Sequence, residues 1–432
     1  MTTLQRIAIL GGVRIPFARI NTQYAEASNI DMLTAALRGV VDRFQLEGER
    51  LGEVAGGAVL KHSRDTNISR EAAIDSGLSP QTPAYDVQQA CGTGLESAIL
   101  VGNKIAVGEI EAGIAGGVDS ASDAPIAYGE KLRKLVLRLR RSQGGLARLR
   151  LLTQLRPSYL VPAIPNVNER RTGLSMGEHC ERMVKEWKIP RVAQDELALA
   201  SHRHGVGAYE RGFYDDLIVP YLGLQRDNNL RTDTSMEKLA KLPPAFDKTS
   251  GQGTLTAGNS TPLTDGAAAV LLASEPWAAA HGHPPQAWLV DAETAAVDFF
   301  GPHAEGLLMA PTYAVPRLLA RNGLGLQDFD YYEIHEAFAG QVLCTLAAWE
   351  SADYCRSRLG VSGPLGSIDR SRLNVNGGSV GLGHPFAATG GRIVAAAAKQ
   401  LALHRASTGR SGRTLISMCA AGGLGVTAIL QG

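Results

Sequence analysis

A cysteine at the start of a predicted helix is the first residue whose type and position suggest chemistry. Cys91 follows the strand-like run YDVQQA and precedes an apolar helical stretch that includes Leu95. The positive end of the helix dipole and its unpaired N–H groups favour a thiolate, the nucleophilic form of cysteine. Gly92 and Gly94 leave space beside the sulfur. The pattern predicts a reactive thiol, whereas a lone cysteine is more often a small buried hydrophobe.

Two further blocks provide groups that could move protons. His384 lies in GLGHPFAATGG before an apolar helical run, and we expect its imidazole to be exposed to a cavity. There it could take the Cys91 proton and donate to an oxyanion. Cys419 ends an apolar strand before a glycine-rich turn. A thiol with an ordinary pKa of roughly 8.5 can exchange a proton with a carbanion. The alternatives are a satisfied core histidine and a space-filling thiol.

A fourth block, HEAFAGQ, spans 335–341 and follows the strand-like run FDYYEI. We expect a helix to begin there, with His335 and Glu336 near its positive end. A polar pair in that place could orient a water or a carbonyl oxygen, and the competing interpretation is a capped helix start. Other residues of these types are expected to be packing thiols, or surface or helix-end histidines without metal-ligand spacing: Cys180, Cys344, Cys355, His202 and His204.

Composition excludes several classes of function. The chain has 432 residues, with 43 basic and 42 acidic side chains, so no global field would recruit nucleic acid. Its five cysteines are odd in number and lack zinc or C-x-x-C spacing, which predicts neither a disulfide framework nor a metal site. We find no signal-peptide pattern and no apolar run of about 18 residues. The expectation is a soluble cytoplasmic protein.

Strand-like and helix-like runs alternate along the chain and would position these groups. RIAILGG is typical of a buried strand, and 29–44 has the spacing of a helix with one apolar face. The alternation predicts a layered α/β fold. GTLTAGNSTPLTDGAAAVLLAS is interpreted as strand, turn and helix. A turn of small residues followed by an apolar helix is common to ACGTGLESAIL and NVNGGSVGLGHPFAATGGRIVAAAA, which indicates a duplicated domain. We predict a first domain at 1–125 with 247–278, an insertion at 126–246 and a second domain at 283–432.

Taken together, the blocks resemble the thiolase family. DVQQACGTGLESA, TLTAGNSTPLTDGAAA, HEAFA, NVNGGSVGLGHPFAATGGR and CAAGGLGV stand in that family's order and cover nearly the whole chain. The resemblance implies duplicated βαβαβαββ domains in an α-β-α-β-α sandwich with an inserted loop domain. Many thiolases have Asn where His335 stands, and HEAFA is similar to the branch that includes the thiolase subunits of fatty-acid oxidation complexes.

The resemblance also implies a reaction, the cleavage of 3-ketoacyl-CoA by CoA into acetyl-CoA and a shortened acyl-CoA, or its reverse. Cys91 would attack the ketone, His384 would activate it, and Cys419 would protonate the departing enolate. One oxyanion hole would use His384 with His335, directly or through a water. The other would use the backbone N–H groups of Cys91 and Ala421.

Coenzyme A would be a substrate, with no permanently bound cofactor, and would lie under the insertion. Residues at positions matching its contacts are Ser175, Met176, Arg231, Ser260 and Thr261. Ser175 departs from the commoner His. The family further implies acyl-CoA substrates and a dimer or tetramer.

The segment 131–157 carries nine basic side chains interleaved with leucines and no acidic residue. A basic amphipathic stretch predicts contact with a membrane surface or with a hydratase/dehydrogenase subunit, and the alternative is a solvated loop near the CoA phosphates. Gly144 and Gly145 predict two short helices rather than one.

Three other functions stay open at this point. A biosynthetic acetoacetyl-CoA thiolase would use the same residues in the condensing direction. A ketoacyl synthase shares the architecture but pairs its cysteine with two histidines, whereas the last block here presents Cys419. A non-catalytic thiolase-like subunit would be expected to lack one of the catalytic blocks.

Overall fold

The computed structural model describes residues 4–165 and 168–432. Its strands are β1 Ile7–Arg14, β2 Ala18–Arg19, β3 Glu53–Gly56, β4 Ala84–Asp86, β5 Ala112–Asp119, β6 Ala127–Tyr128, β7 Pro162–Ala163, β8 Thr264–Ser274, β9 Ala287–Ala296, β10 Tyr331–Ile334, β11 Arg413–Ala420 and β12 Leu424–Gln431.

The helices are α1 Asn29–Phe44, α2 Ile68–Asp75, α3 Thr93–Ala106, α4 Glu130–Arg141, α5 Gly145–Leu152, α6 Met176–Glu186, α7 Arg191–Glu210, α8 Met236–Ala240, α9 Glu275–Ala280, α10 Ala310–Asn322, α11 Ala339–Glu350, α12 Ala352–Ser357, α13 Ser379–Leu382 and α14 Ala388–Thr408. Short 3₁₀ turns lie at Pro157–Tyr159 and Arg370–Arg372.

The sheet repeats one strand order in its two halves, which confirms the predicted duplication. The first half runs β3-β5-β8-β1, with β4 added at the outer edge beside β3, and the second runs β10-β11-β12-β9. In each half the first pair is parallel and the next two pairs are antiparallel. Strands β1 and β9 pair with each other, so the described strands of the two halves form one continuous sheet. The sequence did not predict this junction, because edge pairing is not encoded in local periodicity.

Buried apolar clusters lie in three layers around the sheet. One includes the inner face of α1, and another, at the far side, includes residues of α10 and α11. Between them, a cluster combines α3 with α14. The two helices that follow Cys91 and His384 therefore meet in the middle of the molecule, in the layered sandwich that the sequence predicted.

Local sequence explains most of these elements. Ser28 caps α1 in a capping box with Asp31, and the helix buries one apolar face, as predicted. The run TDGAAAVLLAS was expected to form a helix and instead forms β8, in which every residue is buried. That prediction was wrong because an apolar run buried on both faces has no periodicity that separates a strand from a helix.

Between β5 and β8 the chain leaves the sheet and forms an insertion that contains α4 to α8. Helices α4 and α5 are separated at Gly144, whose φ of +94° is a left-handed conformation that favours glycine. This confirms the predicted pair of short helices. None of the helices in the described ranges is long and apolar enough to cross a membrane.

Candidate active site

A tight turn presents Cys91 two residues before α3 begins. Ala90 has a φ of +48°, which a side-chain-bearing residue adopts only at some cost. The Thr93 hydroxyl donates to the Ala90 carbonyl at 2.7 Å and accepts from the Gln89 N–H at 2.9 Å. These two bonds hold the turn, and Cys91 remains partly exposed to solvent.

His384 reaches the cysteine from the other half of the chain. Its Nε2 lies 3.1 Å from the Cys91 sulfur, and its Nδ1 lies 2.6 Å from the Thr389 hydroxyl. The His384 N–H donates to the Thr264 hydroxyl at 2.8 Å, which fixes the backbone before α14. The expectation that this imidazole is exposed was wrong, since His384 is 4% exposed and is held at both ring nitrogens.

Glycines at a helix crossing let these two residues meet. A Cβ on Gly390 of α14 would lie 2.1 Å from the Leu95 nitrogen of α3. A Cβ on Gly94 would lie 2.6 Å from the Ala387 carbonyl. Only residues without side chains allow the backbones to approach this closely, so the crossing sets the separation between Cys91 and His384.

Cys419 lies near the end of β11 and is 1% exposed. Burial, together with the nearby Cys91, raises its pKa well above the ordinary value. The following turn brings the Ala421 N–H to the Cys91 sulfur, where it and the Cys91 N–H both lower the pKa of that thiol. The structure thus brings Cys91, His384, Cys419 and Ala421 into one site.

Burial decides the protonation states of the nucleophile and its partner. It raises the pKa of Cys91 to about 12 and outweighs the two backbone N–H groups. It lowers the pKa of His384 to about 3, with Arg392 adding to the effect. The free site is therefore a neutral thiol beside a neutral imidazole. Burial therefore opposes the thiolate that the position before a helix was expected to favour.

His335 lies beside His384, with ring centroids 4.2 Å apart, and is fully buried. Helix α11 begins at Ala339, inside the predicted HEAFAGQ block, but His335 and Glu336 lie before its N-cap Phe338 and not in its first turn. Glu336 instead accepts from the Ser201 hydroxyl at 2.7 Å and from the Val380 N–H of α13 at 3.1 Å.

Three candidate ligand atoms lie within 4.8 Å of one another, namely the Cys91 sulfur and one ring nitrogen each from His335 and His384. Spacing of this kind can hold a metal ion. The same atoms are the thiol and imidazoles that acid–base and oxyanion chemistry would use, and an ion there would occupy the nucleophile.

A cleft of about 400 Å³ includes Arg231, Ser260 and Thr261 in its walls. The Thr261 N–H donates to the Ala337 carbonyl at 3.2 Å, which joins the cleft to the HEAFA block. The other two predicted contacts lie elsewhere. Ser175 caps α6 in a capping box, and Met176 packs on the apolar cluster that contains Cys419.

Two residues around the site have positions that the sequence did not predict. His202 was expected at the surface or at a helix end, but it lies within α7, is 5% exposed, accepts from the Arg231 N–H at 3.3 Å and lines the cleft. Glu169 of the insertion accepts from the Gly422 N–H of the catalytic turn at 2.7 Å. Neither contact has a local signal, since each joins segments that are distant in sequence.

Comparisons with known proteins agree with this arrangement. The family description "Thiolase, N-terminal domain" matches residues 7–276, and "Thiolase, C-terminal domain" matches residues 284–432. A 3-ketoacyl-CoA thiolase of Shewanella baltica (strain OS185) is 39% identical over 99% of this chain and 97% of its own length. The 3-ketoacyl-CoA thiolase of Pectobacterium atrosepticum is 38% identical over 99% of this chain and 96% of its own.

Solved structures show the same fold. An acetyl-CoA acetyltransferase of Bacillus anthracis superposes with a TM-score of 0.81 at 29% identity, covering 100% of both chains. The human mitochondrial 3-ketoacyl-CoA thiolase superposes with a TM-score of 0.80 at 28% identity, covering 100% of this chain and 99% of that one.

Proposed function

The chain belongs to the thiolase family and is an acetyl-CoA acyltransferase or acetyltransferase, and from that premise we propose that it cleaves 3-ketoacyl-CoA with CoA. The single observation that carries the proposal is the contact of 3.1 Å between the Cys91 sulfur and His384 Nε2, beside the second thiol Cys419. The HEAFA block favours cleavage of ketoacyl chains over acetoacetyl-CoA synthesis.

In the first half-reaction, the Cys91 sulfur forms a bond to the ketone carbon as its proton passes to His384 Nε2. Because thiol and imidazole are both neutral at rest, charge develops only when the carbonyl oxygen becomes an oxyanion. The N–H groups of Cys91 and Ala421 face the sulfur and would receive that oxygen. Donors of this kind each contribute about 2.7–4 kcal/mol in related chemistry.

The carbon–carbon bond then breaks and its electron pair moves to the acetyl-CoA enolate. His384 and His335 would stabilise the enolate oxygen, and the Cys419 thiol would protonate the carbon. Burial keeps Cys419 protonated until the carbanion forms, because it raises the pKa of that thiol. The Cys419 thiolate next takes the proton of incoming CoA, whose sulfur attacks the acyl group on Cys91. The leaving Cys91 sulfur recovers the proton held by His384.

CoA itself would lie in the cleft under the insertion. Arg19 and Arg231 line it, and among the described residues neither forms an ion pair with an acidic side chain. Unpaired guanidinium groups suit the CoA phosphates. Buried Ser260 Oγ has no partner within the described chain and is available to a pantetheine amide. Ser175 and Met176 remain predicted contacts.

The test is thiolysis of a chain-length series of 3-ketoacyl-CoA substrates with free CoA. We expect turnover by the wild type and none by Cys91→Ala. Cys419→Ala should still accumulate acylated Cys91 by intact-protein mass but should not protonate the carbanion. Cys355→Ala is the matched control, because this buried thiol hydrogen-bonds to the backbone carbonyls of Ala348 and Trp349, outside the site, and its loss should leave turnover unchanged.

Three results would contradict parts of the proposal. Transfer to a carrier-protein phosphopantetheine but not to free CoA would indicate a ketoacyl synthase. Activity confined to acetoacetyl-CoA would favour the biosynthetic thiolase. Absence of turnover with every substrate would indicate a non-catalytic subunit. A dimer or tetramer is also proposed from the family, and analytical ultracentrifugation measures it.

A second proposal concerns the basic arm, which we define as residues 126–164 and which we propose docks on an anionic membrane. The arm has nine basic residues and one acidic residue. The Lys134–Glu130 contact is the ion pair that the described structure gives for its cations. Leu146 and Leu149 of α5 are 68% and 59% exposed. Exposed leucines beside unpaired arginines match an interface of anionic headgroups and acyl chains.

Vesicle sedimentation tests this proposal. The wild type should sediment with phosphatidylglycerol vesicles, less so as salt rises, and not with phosphatidylcholine vesicles. Leu146→Ser with Leu149→Ser should weaken sedimentation, whereas Leu403→Ser, an exposed leucine of α14, should not. Equal sedimentation of all proteins would contradict the proposal. Salt-stable binding of a hydratase/dehydrogenase subunit that requires the same leucines would assign the arm to that partner instead.

A further inference from the structure

A buried hydroxyl connects His335 to a charged side chain behind the site. The Ser379 hydroxyl lies 2.8 Å from His335 Nδ1, and Arg392 Nη2 donates to the same oxygen at 2.8 Å. Ser379 and His335 are fully buried and Arg392 is 3% exposed. Within the described chain, the Ser379 hydroxyl has these two partners, so its hydrogen bonds can be assigned from their chemistry.

The assignment begins with the arginine, which always carries all of its N–H protons and can only donate. Ser379 Oγ therefore accepts from Arg392, and the hydroxyl proton needs an acceptor of its own. His335 Nδ1 is the one other partner at hydrogen-bond distance. A buried proton without an acceptor is costly, so Ser379 donates to Nδ1. Nδ1 is then unprotonated, and a neutral His335 must carry its proton on Nε2.

The second nitrogen of His335, Nε2, is the one left free for the reaction. Nε2 is buried and has no hydrogen-bond partner in the described structure, although its ring lies beside His384. We propose that Ser379, held by Arg392, fixes the tautomer of His335 so that its Nε2–H donates directly to the enolate oxygen. Ser379 and Arg392 are thus positioning residues, and His335 acts without an intervening water. This inference rests on the proposed thiolase reaction.

The two halves of that reaction depend on different donors, which gives a readout that a merely structural role would not produce. Exchange of acetyl groups between acetyl-CoA and labelled CoA passes through acyl-Cys91 and uses the N–H groups of Cys91 and Ala421. Cleavage of the carbon–carbon bond needs the enolate, and so does exchange of the acetyl-CoA methyl protons with D₂O. Loss of the Ser379 hydroxyl should affect cleavage and proton exchange alone.

The experiment compares Ser379→Ala, His335→Ala and the double variant in both assays. Ser379→Ala should slow cleavage and methyl-proton exchange by roughly tenfold, the value of one lost neutral hydrogen bond, with acetyl exchange within about twofold of wild type. His335→Ala should slow cleavage by about 10²-fold or more. In the His335→Ala background, Ser379→Ala should cause no further loss, because the hydroxyl acts through that imidazole.

Other outcomes separate this inference from the proposed function. Unchanged cleavage in Ser379→Ala, an equal loss in both assays, or additive losses in the double variant would each overturn the role of Ser379. Acetyl exchange and cleavage by the wild type must both be measurable. Their absence would refute the thiolase reaction itself, and the inference with it.

Discussion

Replacing Gly390 by Ala should slow the reaction without removing any catalytic group. Its Cβ would lie 2.1 Å from the Leu95 nitrogen, and real Cβ atoms essentially never approach a neighbour closer than 3.0 Å. Helices α3 and α14 must therefore separate by about 0.9 Å, because the atom in the way is backbone and cannot rotate aside. The contact between Cys91 and His384, now 3.1 Å, would lengthen toward about 4 Å.

Direct proton transfer requires hydrogen-bond contact, and a misplacement of about 1 Å costs about 10²-fold in rate. We expect kcat/KM for thiolysis to fall by that factor, or about 2.7 kcal/mol. Overpacking should also destabilise the fold by about 1–3 kcal/mol. Thermal unfolding and CoA affinity must therefore be measured beside the kinetics, so that a folded and CoA-binding variant carries the result.

The next residue provides the control. A Cβ on Gly391 would meet the Ala268 Cβ at 3.2 Å and needs a shift of only a few tenths of an ångström. Gly391→Ala should stay within a few-fold of wild type. A folded Gly390→Ala protein with unchanged kcat/KM, or an equal loss in both variants, would refute the claim that the helix crossing sets the catalytic distance.

Three further predictions follow from buried charges and thiols. Because burial raises the pKa of Cys91 to about 12, alkylation of the free enzyme by iodoacetamide should still accelerate between about pH 7 and 10; a plateau beginning near pH 7 would contradict this. Asp227 forms a buried bidentate pair with Arg14, at 2.6 Å for each contact, so Asp227→Ala should lower the free energy of unfolding by about 3–5 kcal/mol in urea titrations; a change below about 1 kcal/mol would count against it. Burial raises the pKa of Glu333 from 4.5 to about 7, so its contribution to stability is present below about pH 4.5 and is lost as pH rises through about 7. In Glu333→Gln, the free energy of unfolding should change less between pH 5 and 8 than it does in the wild type. An equal pH dependence in both proteins would exclude Glu333 as the titrating group.

Much of the fold could be predicted from local patterns. The apolar face of α1, its cap at Ser28 and the break at Gly144 are each set by residues close in sequence. The duplicated plan was visible because both halves repeat a small-residue turn before an apolar helix. Strand β8 could not be distinguished from a helix, because burial on both faces removes the periodicity that separates them.

The residue types by themselves determined the candidate chemistry, because two thiols and an imidazole in those sequence blocks serve few reactions. Only the tertiary structure decided the protonation states of these groups and the hydrogen bonds that position them. Desolvation by distant segments makes Cys91 a thiol and His384 a neutral base. The link from Arg392 through Ser379 to His335 joins helices and a strand end, and local sequence carries no signal for such contacts. The burial of a group and its protonation depend on what surrounds that group in space, whereas the type of each residue is given by the sequence itself.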